Sequence, residues 1–185
     1  MKIINLTKSF DKKLIFDNFS IEIPPNKVTV ISGESGIGKT TLLRIIAGLD
    51  SNYKGDIKEI SDKISYVFQE PRLFNAITVK QNLELIQKGT DLSINEILSI
   101  VELENDADTY PGELSGGMKM RLSLARAIYY NGDIFLLDEP FSALDNDMKK
   151  RIIPKVFDII KGKTVIVVTH NIEEISNYTD NLIKI

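Results

Sequence analysis

The pattern of apolar and polar positions divides the chain into a β-rich beginning, a helical middle and an alternating remainder. Lys2 to Thr7 reads as strand. Phe19-Ser20-Ile21-Glu22-Ile23 alternates with a period of two before a turn at Pro24-Pro25-Asn26, and together these segments predict an antiparallel β layer. Val28-Thr29-Val30-Ile31 is short, apolar and β-branched, and it ends at Gly33. Good helix formers follow from Thr41 to Ala47, so this stretch reads as strand, glycine loop and helix. Further strands are expected at Ile57 to Ile60 and at Ile64 to Phe68. Beyond Pro71 the spacing turns helical, at Val79 to Ile86 and Ile94 to Leu103, so residues from about 71 to 116 are expected to form a helical lobe inserted in a single domain spanning 1–185. Gly116-Gly117 opens a helix through Ala127, and a strand follows at Asp133 to Leu137. A helix from about Asp147 to Ile160 should be kinked by Pro154 or start later because of it. Thr164 to Thr169 and Asn181 to Ile185 complete the strands. Strands alternating with helices, most of them apolar throughout, predict an α/β fold with a mostly parallel sheet.

Composition narrows the classes of function. A length of 185 residues with 43% hydrophobic content fits one domain with a buried core. The formal charge of −3 argues against broad binding to nucleic acid. No apolar run reaches the ~18 residues that span a bilayer, and Met1 to Asn5 lacks the apolar core of a secretory signal, so a cytoplasmic location is expected. The chain has no cysteine, so any metal must use oxygen ligands or the sole histidine, His170.

Candidate chemistry concentrates in two places. Gly33-Glu34-Ser35-Gly36-Ile37-Gly38-Lys39-Thr40 matches the phosphate-loop pattern in full and lies between an expected strand and an expected helix, with Thr41 next in line. Glycines let backbone N–H groups face phosphate oxygens, and the helix N-terminus adds favourable potential. Lys39 would then reach the β- and γ-phosphates, and the Thr40 hydroxyl would be a ligand of Mg²⁺. The apolar run Ile134 to Leu137 delivers Asp138 and Glu139 to a strand end, where a parallel sheet presents its ligand-binding edge. Asp138 can hold Mg²⁺ directly or through water, and Glu139 can orient or deprotonate an attacking water. Standing alone, the two acids could instead simply cap the next segment, the less favoured reading.

Leu114-Ser115-Gly116-Gly117-Met118 resembles the signature sequence of ATP-binding cassette (ABC) proteins, and other motifs of that family stand in the expected order. Phe10 is placed like the aromatic that stacks on adenine, Gln69 like the glutamine of the Q-loop, Ser142-Ala143-Leu144-Asp145 like the D-loop, and His170 like the switch histidine. Each has a plainer reading: a strand Phe is usually core, Ser115 and Gly117 could serve only as a helix cap, Gln69 could be a solvated side chain, and His170 a satisfied histidine at a strand end. Two positions depart from the family pattern. Met118 replaces a common glutamine, and Asn26 stands where a glycine often precedes the phosphate-loop strand.

The resemblance implies a phosphate-loop NTPase core that hydrolyses ATP with Mg²⁺, the metal held by Thr40, Gln69 and Asp138. Catalysis would fall to Glu139, His170, Gln69 and Lys39. In the family the signature helix end, here Ser115, Gly116 and Gly117, faces the γ-phosphate bound by a second cassette, so a homodimer or a dimer with a related cassette is expected. Further partners implied are a transmembrane permease, with a groove near Gln69 formed by Arg72, Leu73, Phe74 and Ile77 as its docking surface, and a solute receptor outside the cytoplasm. The motifs are similar to those of importer ATPases for nitrate, sulfonates and related small solutes, which places the chain at the inner face of the cell membrane. The chain ends 15 residues after His170 (185 − 170), which reads as a minimal cassette. The alternative from another class is a soluble ABC ATPase of the iron–sulfur assembly type, not coupled to transport.

Overall fold

The computed structural model describes residues 1–11 and 13–185. In chain order its strands are β1 (Lys2–Phe10), β2 (Lys13–Glu22), β3 (Val28–Ser32), β4 (Lys54–Lys58), β5 (Ile64–Val67), β6 (Ile134–Asp138), β7 (Thr164–Val168) and β8 (Asn181–Lys184). The helices are α1 (Lys39–Ile46), α2 (Val79–Glu84), α3 (Ile94–Ile100), α4 (Gly116–Tyr130) and α5 (Asn146–Ile159), with 3-10 turns at Glu104–Asp106, Pro111–Glu113 and Ile172–Tyr178.

Two sheets result. β2, β1 and β4 form an antiparallel sheet in that order, and β5-β6-β7-β3-β8 is wholly parallel. β6 and β7 are buried at every position because both faces of the parallel sheet are covered. Ile134, Leu136, Ile166, Val168 and Ile31 pack against α1 and the antiparallel sheet, while Phe135, Leu137, Val165, Val167 and Val30 pack against α4, α5 and the helices of the middle segment. The period of two along each strand therefore feeds two separate cores.

Several boundaries differ from the sequence expectation, each for a local reason. The antiparallel strands are longer than predicted, because Phe10↔Lys13 pairing closes the hairpin and bulges near Leu6 and Lys8 break the alternation. The predicted strand at Ile57 to Ile60 begins earlier, at Lys54, where Thr7 of β1 pairs with it. α5 does not start later because of Pro154: it runs from Asn146 to Ile159 with the proline inside it. The carbonyl four residues earlier, which loses its partner to proline, belongs to Lys150, an exposed residue. α2 and α3 are shorter than their apolar spacing suggests, each opened by a capping box, at Thr78 with Gln81 and at Ser93 with Glu96. Asn26, the residue in place of the family's glycine, has φ 55°, a left-handed conformation that asparagine tolerates better than other side chains. No helix among the described residues is long and apolar enough to cross a membrane.

Candidate functional site

Strand order decides what meets at the carboxyl edge of the parallel sheet. β6, β7 and β3 are neighbours, so the residues that follow them converge: Asp138 and Glu139 from β6, His170 from β7, and the phosphate loop from β3. A cleft of about 360 Å³ opens there, lined by Phe10, Ser35, Gly36, Gly38, Lys39, Thr40, Thr41, Gln69, Asp138, Glu139 and His170, among others. Phe10 is 49% exposed and hence not core. Its ring is held by the buried Lys8, whose ammonium lies 4.5 Å from the ring centroid and 2.8 Å from the Asp50 carboxylate. Three residues that no motif marks also line the cleft: Lys13, Ile15 and Val168. Only the hairpin register, which sets Phe10 opposite Lys13, brings the first two there.

Lys39 is buried, and its Nζ donates to the carbonyls of Gly33 (2.9 Å) and Glu34 (2.8 Å), so the ammonium holds the loop in its curl. Gly33, Glu34 and Ile37 belong to that curl but are not cleft lining. At the end of β6, Asp138 is 1% exposed, and neither of its carboxylate oxygens has a hydrogen-bond partner, although the Thr40 hydroxyl faces it. Burial pushes the Asp138 carboxyl up, opposed by Thr40 and the Lys39 charge. Glu139 is likewise raised by burial, with His170 opposing and Asp138 adding to the rise. Glu139 Oε1 lies 3.4 Å from His170 Nε2. Its backbone is left-handed at φ 48°, pinned by Glu139 N–H donating to the Val168 carbonyl and by the Ser142 hydroxyl donating to the Glu139 carbonyl. A glutamate held in this region is strained, as residues at functional sites often are.

Asp138 is a buried charge that the protein itself leaves unsatisfied, which costs about 1–3 kcal/mol. Asp138→Asn is therefore expected to raise the melting temperature of the nucleotide-free protein by a few degrees, since about 1 kcal/mol corresponds to roughly 2–4 °C at this size. The sign with pH follows from the raised carboxyl: the folded state holds its proton where the unfolded state has lost it, so stability falls as pH rises through that window. The gap between variant and wild type should close at acid pH, and thermal unfolding without nucleotide across pH checks this.

Ser115, Gly116 and Gly117 do not join the cleft. Ser115 is exposed and caps α4, its hydroxyl accepting from Met118 N–H at 3.2 Å. A Cβ on Gly117 would lie 2.9 Å from the Ala143 carbonyl, so the signature turn packs on the segment Ser142 to Asp145 of its own chain. Ser115 thus caps α4 while remaining exposed.

Comparison with known proteins bears on the family and the fold. The sequence profile of the family described as ABC transporter matches residues 16–142. The aliphatic sulfonates import ATP-binding protein SsuB of Bacillus subtilis (strain 168) is 39% identical over 187 residues, covering 94% of this chain and 73% of that protein. The sulfate/thiosulfate import ATP-binding protein CysA of Escherichia coli (strain K12) is 35% identical over 207 residues, covering 99% of this chain and 56% of that protein. Among solved structures, a dimeric post-hydrolysis state of the ATP-binding cassette MJ0796 bound to ADP and Pi superposes with a TM-score of 0.84 at 30% identity, over 100% of this chain and 93% of that one. The chain belongs to the ABC transporter family, as an ATP-binding and ATP-hydrolysing subunit with a phosphate-loop NTPase core.

Proposed function

We propose that this subunit closes with a second copy around two Mg-ATP molecules and powers import of a small oxyanion-bearing solute through a membrane permease. The observation that carries the reading is the convergence of Lys39, Gln69, Asp138, Glu139 and His170 on one cleft from separate stretches of chain. Lys39 moves from loop carbonyls to the β- and γ-phosphates when they enter, exchanging two neutral acceptors for charged ones. Thr40, Asp138 and Gln69 would hold Mg²⁺, a task that the two unpartnered oxygens of Asp138 fit. A magnesium site of this kind needs one or two carboxylates plus substrate phosphates and water, so no larger acidic cluster is required. When bound, the metal neutralises charge that develops on the transferring phosphoryl group. Glu139 takes a proton from the attacking water, and its raised carboxyl makes it a better base than an exposed glutamate. His170, 3.4 Å away, orients that water or the γ-phosphate. Phe10 stacks on the adenine. Ser115, Gly116 and Gly117 meet the γ-phosphate of the second copy, in line with their position outside the cleft and with the dimeric state of the related cassette.

The permease reading has a surface of its own. A groove of about 500 Å³ is lined by Tyr66, Phe68, Arg72, Leu73, Phe74 and Arg126, among others. Arg126 lies 5.2 Å from the Phe74 ring centroid and donates to the Arg72 carbonyl, and Asn82, fully buried, clamps the loop by accepting from Phe74 N–H and donating to the Phe74 carbonyl. Phe74 is nevertheless 51% exposed, an aromatic on a braced loop that suits insertion of a partner helix. Gln69 and Ile77 are not among the groove's lining residues; Gln69 opens on the nucleotide cleft instead. In this reading the subunit sits peripherally on the inner membrane face, and a solute receptor completes the importer. Iron–sulfur assembly is disfavoured, because the relatives named above are import proteins.

Arg72→Glu combined with Phe74→Asp is expected to abolish co-purification with the permease and uptake of a sulfonate or sulfate, while ATP binding by the isolated subunit stays within about twofold of wild type. Intact complex and uptake would remove the docking surface from the proposal.

A further inference from the structure

We infer that Glu174 is a positioning residue for hydrolysis: one of its oxygens ties the segment that carries His170 to the first turn of α5, which follows Asp145. The inference rests on the proposed role of His170. Glu174 Oε1 accepts from Lys149 Nζ at 2.7 Å and from Asn171 Nδ2 at 2.5 Å. Asn171 directly follows His170, and its own N–H donates to Thr169 Oγ1 at 3.1 Å. Lys149 lies in the first turn of α5, where its N–H donates to the Asp145 carbonyl at 2.9 Å and Asp145 caps the helix by accepting from Met148 N–H at 2.8 Å. One carboxylate oxygen thus joins the segment after β7, which carries His170, to the start of the helix that follows β6.

Burial separates this pair from ordinary surface ion pairs. The side chains of Lys149 and Glu174 are 17% and 19% exposed, against 78% and 83% for Lys150 and Asp147 on the same helix. An exposed pair contributes little, whereas breaking a largely buried one leaves a charge without compensation. The pair also stands where packing is weak. Further along, Phe157 and Tyr178 stack with centroids 4.6 Å apart, but at the start of α5 a cleft of about 330 Å³, lined by Asn146, Lys149, Ile153, Pro154 and Tyr178 among others, separates the helix from the 3-10 turn at Ile172–Tyr178. Lys149 and Glu174 bridge that cleft. His170 has no hydrogen bond from its ring among the described residues and is 59% exposed, so its aim toward Glu139 depends on the backbone of residues 169–171. Glu174 holds that backbone through Asn171, and through Lys149 it makes the turn at Asp145 move with it.

Steady-state ATP hydrolysis with Mg-ATP, together with thermal unfolding, is measured for the wild type, Glu174→Met, Lys149→Met, the double variant, Glu174→Gln and His170→Ala. The apolar replacements keep side-chain length, and glutamine keeps an oxygen for both donors. Each single methionine variant is expected to lower kcat about tenfold with KM for ATP within about twofold at a temperature well below unfolding, and to melt several degrees lower because one charge loses its partner, a loss the double variant recovers; the rate of the double variant falls no further, Glu174→Gln restores most of the rate, and His170→Ala abolishes it. Unchanged kcat in Glu174→Met, additive losses in the double variant, or losses that track the unfolded fraction overturn the positioning role while leaving His170 in place if His170→Ala is inactive. Turnover retained in His170→Ala overturns the histidine's role and this inference with it.

Discussion

Glu139→Gln is expected to lower ATP turnover by about 10²–10⁴-fold, the range spanned by a positioned general base, without weakening ATP binding. Glutamine keeps the length of the side chain and the left-handed backbone at φ 48°, which is fixed from outside by the Val168 carbonyl and the Ser142 hydroxyl, so the cleft should keep its shape. What is lost is the acceptor of a proton. ATP would still draw two copies together but would not be cleaved, so the variant should accumulate as an ATP-bound dimer on sizing with Mg-ATP, where the wild type returns to monomer as nucleotide is consumed. The raised Glu139 carboxyl adds a second signature. Wild-type turnover should fall as pH drops, starting above the ordinary carboxylate value near 4.5, because the base takes its proton early. Retention of more than about a tenth of the wild-type rate would move the base elsewhere, to Asp138 or His170.

Gly38→Ala should weaken ATP binding about 100-fold or more. Gly38 has φ 117°, where an L side chain costs about 1–3 kcal/mol. A Cβ there would also meet Ile15 Cγ2 at 2.5 Å and Phe16 Cζ at 2.9 Å. Overpacking adds about 1–3 kcal/mol, and each 1.4 kcal/mol is roughly a factor of ten. The loop relieves the clash only by moving its N–H groups and Lys39 away from the phosphates. Gly48→Ala is the matched control: its φ is 69°, and a Cβ added there would have nothing within 4 Å, so it should cost stability through strain alone and leave ATP affinity unchanged. Titration calorimetry on both variants separates a loop that must stay open from a backbone that is merely strained. Equal affinities in the two would deny the crowding argument.

The parts of this protein that were legible in its sequence are those carried by neighbours along the chain. The phosphate loop from Gly33 to Thr40 is one continuous stretch of glycines, lysine and threonine, so its pattern lies in its spacing. The apolar runs of β3, β6 and β7, too short for helices and flanked by turn residues, fit strands covered on both faces. Asp138 and Glu139 were legible for the same reason, as polar residues ending an apolar run. Local propensity served less well where tertiary contacts compete with it. α5 passes through Pro154, and β1 and β2 outrun their alternating pattern because cross-strand pairing with bulges extends the ladder to Phe10 and Lys13.

By itself, then, the sequence determined the family, the phosphate loop, the acidic strand end and the two kinds of sheet, because these depend on residue type and short spacing. Only the tertiary structure decided which residues share a cleft. It left Phe10 exposed beside Lys13 and Ile15, placed Glu139 3.4 Å from His170 across 31 residues of chain (170 − 139), buried Asp138 without a partner, and joined Lys149, Glu174 and Asn171 on one oxygen. The reason is that spacing along a chain prescribes which face of a helix or strand a side chain takes, whereas strand order, hairpin register and the burial of charge are set by how whole elements pack.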